Sequence, residues 1–212
     1  MSLPYTKKVL EHFMHPHNVG KLENPDATAT EGSPACGDMV KLYLKVDKDT
    51  KQIEDIKFES YGCASNIATG SIITDLAIGK TLEEAKKLDW KMAAEALGGL
   101  PPVKVHCAVL AVDALRTAIE NYEHRHGLLK VKIPTTDSII MKRLSRVINP
   151  LAGLDVVRTK LVKEVTVDNG LVTVFVELPS NHQFANNIRN EITERIEPLW
   201  DVKKVEIVFR GN

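Results

Sequence analysis

Cysteine is scarce in this chain: three thiols in 212 residues, an odd number that rules out a disulfide framework. Metal binding, catalysis or plain burial remain for Cys36, Cys63 and Cys107. Net charge is also lacking, with 28 Lys+Arg against 28 Asp+Glu, so neither steering toward polyanions nor disorder from self-repulsion is favoured. That excludes a general nucleic-acid binder. No apolar run approaches the roughly 18–20 residues that cross a bilayer, and the start Met-Ser-Leu-Pro-Tyr-Thr-Lys-Lys carries no signal-peptide core. A soluble, cytoplasmic protein without a membrane partner is expected. Repeats and low-complexity segments are missing too. What is present is 43% apolar residues, enough for one large or two ordinary domains to fold without staples.

Val9, Leu10 and Phe13 suggest a helix from about Pro4 to Phe13, followed by a Pro/Gly/Asn-rich loop from His15 to Gly37. Val40, Leu42, Leu44 and Val46 alternate with Lys41, Tyr43 and Lys45, and Ile56 and Phe58 alternate with charged residues, so a hairpin is expected. A small-residue helix from Ala64 to Ile78 should follow, then a capping box at Thr81 and Glu84. Beyond the break at Gly98–Pro102, apolar residues spaced as on one helical face predict a long helix from His106 to Glu123.

The segment Arg125–Pro134 is the candidate linker, giving domains 1–130 and 131–212. After it, caps at Thr135–Asp137 open a helix with an Ile140, Leu144, Val147, Ile148 stripe that Pro150 should terminate. Two strands flank Asp168-Asn169-Gly170, a tight-turn signal. A helix striped with Phe184, Ile188, Ile192 and Ile196 and a strand alternating Val205, Ile207 and Phe209 complete a small αββαβ sandwich without cysteine.

The thiol spacing, with 26 and 43 residues intervening, matches no compact zinc-finger or ferredoxin pattern. Their settings say more, because each cysteine lies at an element junction. Helix N-termini favour thiolates, which would serve Cys63 and Cys107. With Asp38 and His106 nearby, three sulfurs plus one O or N could bind zinc or an iron–sulfur cluster if they meet in one water-accessible pocket. The bland reading is burial, especially for Cys107 on the apolar stripe of its helix. His106 and Cys107 as base and nucleophile are disfavoured, since adjacent helical positions point about 100° apart. His12, His15 and His17 could ligate a metal or form a solvated loop. His124 and His126 suit a helix C-terminus, where positive charge is favourable.

The first 126 residues resemble the IscU/NifU-type iron–sulfur cluster assembly scaffolds. The matching text is Tyr5-Thr6-Lys7-Lys8-Val9, Pro16-His17-Asn18-Val19-Gly20, Pro34-Ala35-Cys36-Gly37-Asp38, Tyr61-Gly62-Cys63-Ala64-Ser65 and Leu100-Pro101-Pro102-Val103-Lys104-Val105-His106-Cys107. The resemblance implies an α+β fold in which a three-stranded antiparallel sheet carries helices. It implies a nascent [2Fe–2S] cluster held by Cys36, Cys63 and Cys107, with Asp38 or His106 as fourth ligand. Sulfur would arrive as a persulfide from a cysteine desulfurase, with Cys107 as acceptor, and the cluster would pass to apo iron–sulfur proteins. A homodimer could bridge it. Leu100-Pro101-Pro102-Val103-Lys104 reads as a turn feeding the long helix; the resemblance makes it an extended recognition segment for an Hsp70-type chaperone.

Residues 135 to 212 resemble the MIP18/DUF59 family through Val147–Val157 and the succession Val172–Leu178, Ile188–Ile196 and Val202–Val208. Members commonly carry a cysteine where this chain has Pro179-Ser180-Asn181-His182-Gln183, so docking or dimerisation is the expected role, with His182 a weak ligand candidate. The expectation is a non-enzymatic, two-domain cluster scaffold. Its competitors are a zinc-binding structural module using the same residues and a metal-free adaptor with buried thiols.

Overall fold

Residues 5–33, 37–129 and 132–211 are described in the structure, a computed structural model. The chain divides into two compact units, Met1–Tyr122 and Glu123–Asn212. Among the described residues no helix is long and apolar enough to cross a membrane.

The first unit opens with helix α1 (Lys7–Met14), whose N-cap Thr6 accepts a hydrogen bond from the Val9 N–H. Its inward face is Val9 and His12, while Phe13 is 40% exposed. The apolar stripe expected through Phe13 is therefore rotated, and a histidine takes the inward position one turn after Val9. Three antiparallel strands follow in sequential order: β1 (Ala27–Ser33), β2 (Asp38–Val46) and β3 (Ile53–Tyr61). The β2–β3 pair is the hairpin that the alternation predicts. Strand β1 occupies what was expected to be loop. Its buried positions are Ala27, Ala29 and Glu31, two methyl groups and a carboxylate, so the alternation carries almost no hydrophobic signal. Glu31 is satisfied by the Thr117 hydroxyl, which donates to it at 2.8 Å.

Helix α2 (Ala64–Ala77) packs between α1 and β3. It is buried on most sides, as its small residues permit. At Gly70 a Cβ would lie 2.6 Å from the Phe58 ring, so only glycine lets strand and helix approach this closely. The expected capping box at Thr81 and Glu84 opens the short helix α3 (Leu82–Ala85). Helix α4 (Trp90–Ala96), a 3-10 turn over Pro102–Lys104, and the long helix α5 (Val105–His126) as far as Tyr122 complete the unit. Leu42, Leu44 and Phe58 of the sheet meet Ile73, Leu115 and Ile119 of the helices in one core. Each fully buried large side chain contributes about 1.5–3 kcal/mol.

In the second unit α6 (Asp137–Leu144) is capped by Thr136. It ends at Leu144, earlier than the stripe suggested: Val147 is buried beyond the helix and Ile148 enters a two-residue pair, β4 (Ile148–Asn149) with β5 (Leu154–Asp155). The Asn149 carboxamide oxygen accepts from the Leu151 N–H, closing a local turn that competes with helix. Strands β6 (Val162–Asp168) and β7 (Leu171–Val176) flank Asn169 at φ 48° and Gly170 at φ 87°, the tight turn expected. Helix α7 (Ala185–Ile196) carries the chain across, so that β8 (Lys204–Phe209) pairs parallel to β7. The αββαβ order stands, with the β4–β5 pair inserted. His124, expected to carry favourable positive charge, is pushed down to about 4 by burial and then by the Arg143 charge, so it is neutral at pH 7.

Candidate functional site

Three chain segments converge at one end of the first unit. Strand β2 begins with Asp38, Cys63 is the N-cap of α2, and His106 and Cys107 are the second and third residues of α5. The Asp38 Oδ1 accepts the Cys63 N–H at 3.2 Å, one of the donors a helix start leaves unpaired. The Asp38 Oδ2 lies 3.1 Å from His106 Nε2 and 3.7 Å from Cys107 Sγ. The two sulfurs are 3.7 Å apart. Gly62, at φ 146°, makes this approach feasible: a Cβ there would fall 2.1 Å from Asp38 Oδ1. The expected fourth segment lies outside the described residues, since Cys36 is among those not described.

The two thiols differ in charge preference. Burial works against the Cys63 thiolate, but the N–H of Asn66, the Cys107 thiol and the N–H of Ser65 prevail and hold its pKa below the ordinary value. Burial pushes the Cys107 thiol up, and the neighbouring Cys63 and Asp38 charges push it further. The helix start therefore favours the thiolate form at Cys63 and not, as expected, at Cys107. Cys107 is also 0% exposed, contrary to the water-accessible pocket that the sequence reading required. The reason is its place on the inward stripe of α5. Its sulfur nonetheless faces polar groups, with His106 Nε2 at 3.4 Å. This contact also corrects the expectation that His106 and Cys107 do not meet: the long imidazole folds back over its neighbour at the helix start. The His106 side chain itself is 58% exposed.

Two further residues support the site, Lys104, expected only as part of the chaperone segment, and Asn66, which the sequence reading missed. Lys104 hydrogen-bonds the Cys63 sulfur, whose thiolate charge raises the lysine pKa. Asn66, on the first turn of α2, donates to the Met39 carbonyl at 3.1 Å, the Ser60 hydroxyl at 2.9 Å and the Tyr61 carbonyl at 3.0 Å, fastening α2 to both strands. A buried carboxamide in a small-residue helix was the available signal. Leu100 packs against the core, whereas Pro102 and Val103 are exposed, Val103 at 76%. Pro102–Lys104 form a 3-10 turn and not an extended peptide. In the second unit, the His182 Nδ1 accepts the Phe184 N–H at 3.2 Å, a local turn contact.

Two sulfurs on one tetrahedral ion with bonds of roughly 2.3 Å lie about 3.8 Å apart. The Cys63–Cys107 spacing fits that geometry, and Asp38 and His106 bring an oxygen and a nitrogen to within 4.8 Å of a Cys107 ligand atom.

Residues 4–128 match the family described as NifU-like N terminal domain, and residues 137–207 the family described as Iron-sulfur cluster assembly protein. The Iron-sulfur cluster assembly scaffold protein IscU 1 of Archaeoglobus fulgidus is 53% identical over 129 residues, 60% of this chain and 83% of that one. The IscU scaffold of Azotobacter vinelandii is 47% identical over 130 residues, 60% of this chain and 100% of that one. A solved N-terminal NifU-like protein from Brucella abortus aligns at 28% identity with a TM-score of 0.45, over 57% of this chain and 94% of that one. By the extent of the match over residues 4–128, the chain belongs to the NifU-like N terminal domain family.

Proposed function

We propose that the chain is a scaffold on which a [2Fe–2S] cluster is assembled at Cys36, Asp38, Cys63, His106 and Cys107 and then passed to apo-proteins. The observation that carries this reading is the 3.7 Å Cys63–Cys107 spacing beside an oxygen and a nitrogen donor. The family match and the names of its relatives support the scaffold role. A structural zinc module built on the same donors is the weaker reading, because those relatives are named as cluster scaffolds.

Cys107 is the proposed sulfur acceptor. Its thiolate attacks the outer sulfur of a persulfide on a cysteine desulfurase, a new S–S bond forms, and the desulfurase thiolate leaves. Asp38 Oδ2, 3.7 Å away, faces the Cys107 S–H and is placed to take its proton, with His106 Nε2 3.1 Å from the same oxygen. Each transferred sulfur needs two electrons to become sulfide and return Cys107 to a thiolate. Of the four needed for two sulfurs, an external donor supplies two and the oxidation of two ferrous ions to ferric supplies two, which makes a [2Fe–2S]2+ cargo. Asp38, a harder donor than sulfur, keeps it exchangeable. A second copy of the chain could share the cluster. Exposed Pro102 and Val103, with Leu100, Pro101 and Lys104, form the proposed Hsp70-type chaperone segment, whose 3-10 turn must unwind to bind as an extended peptide. Residues 131–212 serve docking, and a reducing cytoplasm suits the free thiols.

Anaerobic reconstitution of the full chain with ferrous iron, cysteine, a desulfurase and a dithiol reductant as electron donor tests the reading. A visible absorbance with iron and acid-labile sulfide near two each per chain, or per dimer for a bridged cluster, is expected. Colourless protein that retains only zinc, or no metal, overturns it.

A further inference from the structure

At the other end of α2 a second group of metal-binding side chains assembles. His12 on the inward face of α1, His17 in the turn beyond it and Asp75 near the end of α2 bring one ligand atom each to within 4.8 Å of one another. His17 Nδ1 lies 2.7 Å from Asp75 Oδ2, and the two imidazole centroids are 4.9 Å apart. His15, the third histidine of this stretch, is exposed and does not belong to the group.

We propose that His12, His17 and Asp75 form a second metal site, taking one divalent first-row transition ion, Fe2+ or Zn2+, through two imidazoles and a carboxylate. This donor set suits such ions, with a fourth position left to water. Two of the three ligands already have the side-chain orienting partner that metal sites use, and the third is held through its backbone. His12 Nδ1 bonds the Ser71 hydroxyl at 2.8 Å, which sets the ring and leaves Nε2 for the metal. The same hydroxyl accepts the His17 N–H at 2.9 Å and so fixes the turn. Asn18 donates to Asp75 Oδ1 at 2.9 Å and to the Thr74 hydroxyl at 3.1 Å, leaving Oδ2 toward the histidines. Ligand atoms on a tetrahedral ion with bonds near 2.05 Å sit roughly 3.3 Å apart, so the ion replaces the His17–Asp75 contact with little rearrangement. His12 is buried, while His17 is 54% and Asp75 30% exposed, which leaves an entry side.

From Cys63 to Asp75 is 12 residues of α2, about 18 Å of helix rise, so no ion is shared with the thiol site. The second site stands whether or not the thiols hold a cluster. A metal there would cross-link α1, the following turn and α2, and would add stability as the ion saturates it.

Anaerobic titration of the full chain with Co2+ and with Zn2+ tests the proposal. Wild-type protein should take two ions per chain, one giving thiolate-to-cobalt charge-transfer absorption and one giving only the weaker visible bands of a nitrogen and oxygen set. His17→Ala and Asp75→Asn should each lose that second ion and keep the first, which also reports that they are folded. The proposal is overturned if wild-type protein lacks the thiolate-free component, or if both variants retain it. Should a variant lose both ions, the wild-type spectrum with the other variant decides.

Discussion

Cys63 Sγ and Cys107 Sγ lie 3.7 Å apart although 44 positions separate them along the chain. Both sit at helix starts, yet only Cys63 benefits as a thiolate, because Cys107 is buried and the first negative charge opposes a second. Thiol-specific alkylation at pH 7 should therefore label Cys63 before Cys107, by more than about tenfold, since thiolate fraction falls tenfold per unit of pKa. Peptide mass spectrometry over a time course reads this. Equal rates at the two sites would remove the asymmetry.

Asp38→Ala should lengthen the life of a reconstituted cluster several-fold. Asp38 offers oxygen beside the sulfurs, and iron bound partly by a harder ligand exchanges more readily. Decay of the visible absorbance in the presence of a chelator measures it. Loss as fast as in the wild type, or faster, would show that the carboxylate holds the cargo instead of loosening it.

Gly62→Ala should lower stability by about 1–3 kcal/mol, because φ of 146° is strained for any residue with a Cβ and that Cβ would strike Asp38 Oδ1. Removing the carboxylate removes the collision but not the backbone strain. The Gly62→Ala, Asp38→Ala double variant should thus recover part of the loss, and urea midpoints for the four proteins read the coupling. Strictly additive costs would mean that the two groups do not collide.

The ends of the site were legible in the sequence for a simple reason: glycine beside cysteine at a change of hydrophobic period marks a strand-to-helix junction, as at Gly62-Cys63. Alternation likewise exposed β2 and β3. Strand β1 was hidden because Ala27, Ala29 and Glu31 face inward without a hydrophobic contrast. The burial of Cys107, the approach of Lys104 to Cys63 and the pairing of His17 with Asp75 all depend on contacts between segments remote in sequence. Local periodicity carries no record of such contacts. The junction residues could be placed, but their electrostatics could not.

Glu191 gives the second unit a pH dependence of its own. Burial pushes its carboxyl up to about 7, with Glu194 adding to the rise while Arg195 and the Ile148 N–H oppose it, and its Oε2 is buried without a hydrogen-bond partner. The folded state therefore holds a proton that the unfolded chain releases near 4.5. Stability from this group is complete below about pH 4.5, falls as pH rises from there to about 7, and is gone above; the full swing is on the order of 3 kcal/mol. His124 runs the other way, losing stability as pH falls from its ordinary 6.5 toward about 4. It cancels in the difference between wild type and Glu191→Gln, a variant that keeps the shape of the protonated acid. Urea unfolding of the full chains at pH 5, 6, 7 and 8, followed through the half-buried Trp200 of this unit, should show the variant gaining on the wild type up to pH 7 and then holding a constant lead. Parallel profiles across that range would place the Glu191 carboxylate in water.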